Sequence, residues 1–179
     1  IITESVVDVS SSFKWNYSVT LFVIILISFA AYLPVLQNGF VNWDDDNYIQ
    51  NNPLIYSINI KEYFSHFFIG NYHPFTLLVF AIEYHFFGFS ATGYHVVNLL
   101  LHLSNAVLVF YVVLFLSEKA EVALVASLLF GVHPMHVESV AWASELKDLL
   151  YTLFFLTSFI FYLKYTKENT KKFYFIALL

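Results

Sequence analysis

Residues 19–36 (VTLFVIILISFAAYLPVL) run for 18 positions without a charged side chain, close to the ~20 apolar residues a helix needs to cross about 30 Å of hydrocarbon. In lipid every backbone N–H and C=O must find its partner inside the protein, so a lone run of this kind crosses as an α-helix. Comparable runs lie at 94–116 and 149–163. A shorter one at 121–134 ends in His133-Pro134 and can continue past the proline with a kink. Another begins at Phe173. A cleaved secretory signal is a poor account of the first run, because an acidic stretch with Glu4, Asp8 and one lysine precedes it and several apolar runs come after it. The chain is 59% hydrophobic and 12% charged, against about 45–50% and about 25% in a soluble domain. Its 21 Phe and 13 Tyr suit rings lying at headgroup level. The expected fold class is therefore all-α, a polytopic bundle of transmembrane helices.

Composition also removes several functions. All eight basic residues are lysines, set against 13 acidic ones for a net charge of -5, so no arginine-rich face is available for nucleic acid. Without cysteine there is no disulfide framework, no thiolate nucleophile and no sulfur-rich zinc site. Any metal would take His and carboxylate ligands.

Lysine placement orients the spans, since cytoplasmic loops collect positive charge. With the first span running outward, Lys14, Lys119, Lys164, Lys167, Lys171 and Lys172 fall inside and only Lys61 and Lys147 outside. Residues 1–18 are then a cytoplasmic N-terminal segment, and 19–179 a membrane domain with spans at about 19–36, 94–116, 121–134 and 149–163. The loop 37–93 and the 133–148 connection emerge on one extracytoplasmic face, where they can build a single site. Within that loop, residues 75–89 (FTLLVFAIEYHFFGF) are short for a span and are expected to form a helix lying in the interface, started by Pro74. The chain begins without methionine and stops seven residues into an apolar run, so it is expected to be a piece of a longer protein.

Three polar clusters sit where lipid disfavours them. Trp43-Asp44-Asp45-Asp46-Asn47 packs three carboxylates against the membrane surface. Such a loop can simply be solvated, because charge near the interface is cheap beside charge at the bilayer centre. Crowded carboxylates at a low-dielectric surface also acquire raised or split pKa values, as a general base requires, and Asp44 with Asp46 offers a metal pair as a third use. In the second span His95, Asn98, His102 and Asn105 are spaced 3, 4 and 3 apart on one helical face. That stripe either hydrogen-bonds neighbouring helices or lines a cavity. The third cluster, His133-Pro134-Met135-His136-Val137-Glu138, is continued by Trp142, Glu145, Lys147 and Asp148. Its two histidines and glutamate suit a divalent cation, although the spacing is far from a known zinc motif. A helix across 137–148 would place Glu138 and Glu145 on one face with Lys147 to the side.

The segments NGFVNWDDDNYIQNNP, YHPFTLLVFAIEYHFFGFSATGYHVVNLLLHLSNAVLVF and ALVASLLFGVHPMHVESVAWASELKDLL, in this order, resemble the N-terminal half of GT-C-type membrane glycosyltransferases. Within that superfamily the chain resembles the transmembrane tetratricopeptide-repeat O-mannosyltransferases and their bacterial homologues, over roughly residues 38 to 165. The resemblance implies a GT-C bundle whose first outer loop carries interfacial helices. It also implies roles. Asp44 and Asp45 match the family's acidic pair, the first acid being the base, with Asp46 outside it. His73-Pro74-Phe75-Thr76 matches an Arg/His-Pro-Leu-Thr element with Phe for Leu. His133, Pro134, His136 and Glu138 complete an H-P-x-H-x-E element taken to face the pair. Where relatives carry an arginine two residues before the Asp-Leu-Leu that opens the fourth span, this chain has Leu146. Lys147 is next to it, but about 100° away around a helix.

The same resemblance implies a donor sugar, with mannose as one candidate, carried on a polyprenyl phosphate whose tail stays in the bilayer. The implied acceptor is a Ser or Thr hydroxyl of an exported polypeptide, or a glycan, attacking with inversion after losing its proton to Asp44. The departing phosphate is met by Lys147, a protonated His133 or His136, or a divalent cation. His73 and Glu138 complete the substrate contacts. A site of this kind belongs to an integral membrane protein, with the arginine-free composition pointing to a bacterial inner membrane and its extracytoplasmic face, and the piece alone is expected to be inactive. Two other classes stay open, a transporter or channel subunit that uses the intramembrane histidines as an ion path, and a noncatalytic anchor for a downstream repeat domain.

Overall fold

A computed structural model describes residues 15–178. The first fourteen residues of the expected cytoplasmic segment, and Leu179, lie outside the described residues. Helix α1 (Tyr17–Tyr32) opens at Asn16, whose side-chain oxygen accepts the Val19 N–H at 3.2 Å and so meets one of the orphan donors of the first turn. Pro34 tightens its far end into a 3-10 turn, Leu33–Gln37. Thr20, Ile24, Ser28 and Tyr32, one per turn, face inward, while Phe22, Leu26 and Phe29 are exposed. Small and polar side chains inside with large apolar ones outside is the order expected of a helix whose solvent is lipid.

The long loop after α1 is built from a π-helical turn (Asp46–Gln50), a 3-10 turn (Pro53–Ile55), the single-turn α2 (Ile60–Tyr63) and α3 (Pro74–Phe87). Helix α3 starts at Pro74 and stops at Gly88, which takes φ 57°, a left-handed value that a side chain resists. It is apolar but only 14 residues long. Helix α4 (Ala91–Ser117) is the centre of the bundle, packed against α5 (Ala120–Val132), α7 (Leu146–Glu168) and α1. Beyond α5 the chain bends by 47° at His133 into a 3-10 turn (Pro134–His136) and α6 (Val137–Ala141). Helix α8 (Lys171–Ala177) packs back on α7. The described residues contain no strand, only an isolated bridge between Phe68 and Asn71. Three helices are long and apolar enough to cross a membrane, four if the bent pair counts as one. The chain is an all-α polytopic bundle and an integral membrane protein.

The helix expected across 137–148 is interrupted. Trp142 is extended, at φ -102° and ψ 117°, and a 3-10 turn (Ala143–Glu145) precedes α7. The carbonyls released by the break are met from α4, where Asn98 Nδ2 donates to Trp142 O at 3.1 Å and to Ala143 O at 3.4 Å. Glu138 and Glu145 therefore do not share a face, Glu138 being exposed and Glu145 buried. One hydrophobic cluster, including Tyr48, Ile49, Tyr63, Phe80, Tyr94 and Leu146, seats the loop on α3, α4 and the start of α7.

Candidate active site

The two leading acids have separate environments. Asp45 is fully buried. Its Oδ2 accepts the Val41 N–H at 3.0 Å and its Oδ1 the Ser144 N–H at 2.8 Å, so one carboxylate closes its own loop and pins it to the turn before α7, 99 residues away. Asp44 is half-buried and makes no hydrogen bond or ion pair among the described residues. A second clamp lies alongside, with the Trp43 and Trp142 rings edge to face at 5.3 Å between centroids. The loop and the 133–148 connection thus meet at one place.

Beside this seam Lys147 Nζ reaches Glu145 Oε1 at 2.6 Å. Leu146 is buried in the core, so the position where the resemblance implies an arginine is packing here, and the cation placed beside it among the described residues is Lys147. His73, at the start of α3, faces the same group. Partial burial and then the Lys147 ammonium push its imidazole below the ordinary histidine range, against the pull of Asp148 and Glu145, which favours the neutral ring at neutral pH.

The H-P-x-H-x-E element is divided between two clefts. The His133 ring turns back to accept the Met135 N–H at 3.2 Å, and its carbonyl accepts the Tyr32 hydroxyl at 3.0 Å. The His136 ring stands 6.0 Å from the His133 ring, 4.4 Å from Phe130 and 5.7 Å from His102 between ring centroids, and lines a cavity of about 350 Å³ shared with Asn105, Ser139, Asp148 and Thr152. Glu138 lines a separate cleft with Trp43 and Trp142. The four-residue stripe of α4 does both jobs expected of it. Asn98 bonds the carbonyls at the Trp142 break, Asn105 Nδ2 donates to Leu149 O in the first turn of α7 at 3.0 Å, and His102 Nε2 bonds Gly131 O at 3.0 Å, while His102 and Asn105 also line the cavity. His95 is fully buried on the same helix. Among the described residues no three His, Asp or Glu side chains converge as a metal-binding group.

Ser144 and the tryptophan pair carry no chemical signature in the sequence. A backbone N–H has none to give, and aromatic residues are common throughout this chain. The one available signal is the position of Trp142 inside an otherwise helical pattern, next to small residues.

A polytopic helical membrane protein with an acidic loop clamped to a helix break at Trp142, next to a histidine-bearing bend, is the class that fold and site define. Similarity to known proteins narrows it. The chain is 35% identical over 169 residues to protein O-mannosyl-transferase F38B6.6 of Caenorhabditis elegans, covering 84% of this chain and 24% of that protein. It is 36% identical over 160 residues to the human protein O-mannosyl-transferase TMTC4, covering 76% and 22%, and 34% identical over 144 residues to human TMTC3, covering 74% and 16%. No family model matches the chain and no solved structure matches it. Over about three quarters or more of its own length the chain is similar to proteins named protein O-mannosyl-transferases, and it spans about a quarter or less of the length of these relatives.

Proposed function

We propose that this chain is the N-terminal membrane part of a glycosyltransferase that moves a sugar, mannose by analogy with the names of its relatives, from a polyprenyl-phosphate donor to a hydroxyl of an exported polypeptide or glycan. The observation that carries the reading is the division of labour in the acidic pair. Asp45 has both oxygens committed to backbone N–H groups, while Asp44 beside it keeps a carboxylate with no partner, which leaves it free to take a proton. In this proposal the acceptor oxygen gives its proton to Asp44 and bonds the anomeric carbon. The bond from that carbon to the phosphate oxygen breaks with its electron pair, in a single displacement that inverts the centre. Asp45 positions its neighbour. Lys147 meets the charge growing on the departing phosphate, with His73 beside it and His133, His136 and Glu138 around the substrates. A divalent cation is a further proposed aid to that phosphate.

The site is proposed to face away from the cytoplasm, with the lipid tail in the bilayer. The absence of arginine supports a bacterial inner membrane, although the relatives named above are animal proteins. The test is transfer from a radiolabelled polyprenyl-phosphate mannose in membranes carrying the full-length protein. Asp44→Asn is expected to lower transfer by about 10²–10⁴ with normal insertion. Transfer at the wild-type rate in that variant overturns the assignment of the base.

A further inference from the structure

Between residues 41–43 and α6 lies a cleft of about 590 Å³ whose walls include Asn42, Trp43, Glu138, Ala141 and Trp142, a size within the roughly 300–1,000 Å³ of small-molecule sites. Its apolar surface is a corner. The Trp43 and Trp142 rings meet at 65°, and Trp43 stays 69% exposed, with no described residue covering it. Around the corner stand a carboxylate, Glu138, and an amide, Asn42, both exposed. The next residue after Trp43 is Asp44.

Each part selects against other occupants. A prenyl tail has no use for the carboxylate and amide, and a phosphate is repelled by Glu138 with no cation lining the cleft. A pyranose ring satisfies all of them, because its C–H face stacks on indole while its rim of hydroxyls needs acceptors and donors at the edge. We propose that the Trp43–Trp142 corner is a pyranose subsite that holds the sugar ring of the donor beside Asp44, with Glu138 and Asn42 bonding its hydroxyls. The identity of that sugar as the donor's rests on the glycosyltransferase reading above. The pyranose chemistry of the cleft does not.

The test is saturation-transfer NMR on the full-length protein in lipid nanodiscs, using methyl α-D-mannopyranoside as the probe, glycerol as the open-chain polyol control and a Ser/Thr-rich peptide as competitor. Saturation is expected on the ring C–H protons of the pyranoside and not on glycerol. Trp43→Ala, its insertion and melting temperature checked against wild type because the ring clamps Trp142, and Trp142→Phe, which keeps an aromatic ring at the seam, are expected to weaken binding, Trp43→Ala by about tenfold. Asp44→Asn is expected to retain it. No transfer to the pyranoside, an undiminished signal in Trp43→Ala, or saturation of the peptide alone each overturns the subsite. The full-length enzyme separates the two readings. If wild type binds the pyranoside through the tryptophans yet transfers no sugar, the subsite stands and the transferase reading falls. If it transfers sugar with a donor KM unmoved by Trp43→Ala, the transferase reading stands and the subsite falls.

Discussion

Asp44 and Asp45 are adjacent in the chain and opposite in environment, and the difference can be measured separately from activity. Asp45 accepts two backbone N–H groups with its two oxygens. An asparagine there can accept with one oxygen only and turns an amide N–H toward a buried donor. Asp45→Asn is therefore expected to cost about 1–3 kcal/mol, seen as a lowered melting temperature in detergent, whereas Asp44→Asn is expected to leave melting unchanged. Glu83 supplies a second residue-scale test. It is 2% exposed on α3, neither carboxylate oxygen has a partner, and burial holds its carboxyl well above the usual carboxylate range. Below about pH 4.3 the group is neutral folded and unfolded alike, so it carries no penalty. As pH rises past that value the unfolded chain ionises while the folded one stays protonated, and stability falls. Glu83→Gln cannot titrate, so its melting temperature should match wild type near pH 4 and exceed it increasingly toward pH 7. The gap widens by up to about 1.4 kcal/mol per pH unit while only the unfolded carboxyl is charged. At this scale the sequence marks which residues are chemically able to act, as it does for the acidic pair and for His73. Which of two neighbouring acids is buried depends on a backbone N–H 99 residues away, and no local pattern encodes that.

Helix α5 crosses α1 closely enough that a Cβ on Gly131 would run into Ser28 Oγ and lie 3.2 Å from Ser28 Cβ. Ser127 Oγ donates to Ala106 O at 2.6 Å on the same helix, tying α5 to α4. Without a hydrophobic force between helices in lipid, such close approaches and interhelical bonds hold the bundle. Gly131→Leu is expected to cost about 1–3 kcal/mol, read as a lowered melting temperature or aggregation on size exclusion, and Ser28→Gly should restore much of the loss in the milder Gly131→Ala. The same scale shows where periodicity suffices and where it does not. The apolar runs become helices because their backbones have no other partner, Pro74 begins α3, and Pro134 ends the continuity of α5. The break at Trp142 is hidden, because residues 137–148 look helical taken alone. There Asn98 and Asp45 bond the broken backbone from outside and the tryptophan rings pack beside it, contacts that the local pattern does not encode.

At the scale of the whole molecule the bundle has two unlike ends. At one end the acidic loop, the Asn98 bonds to the helix break and the Lys147–Glu145 pair gather. At the other, Lys167 Nζ meets Glu118 Oε1 at 3.1 Å, joining the last turn of α7 to the C-cap of α4 and collecting Lys119, Lys164, Lys171 and Lys172 nearby in the chain. This contact puts the ends of α4 and α7 on one side whatever the orientation of the protein. The lysine-rich side is the one that the charge rule assigns to the cytoplasm, which leaves the acidic loop outside provided α3, at 14 residues, lies in the interface and does not cross. The absence of cysteine makes this direct to test. Asn47 and Glu121 are both exposed, the first in the acidic loop and the second in the first turn of α5. With single cysteines at these positions in intact cells, a membrane-impermeant maleimide is expected to label Asn47→Cys at once and Glu121→Cys only after lysis. Labelling of both before lysis would mean that α3 crosses the bilayer, because one extra crossing brings position 121 to the side of position 47. The reverse pattern, with Glu121→Cys labelled first, would put the acidic loop in the cytoplasm and remove the exported polypeptide as acceptor while leaving every intramolecular contact described above in place.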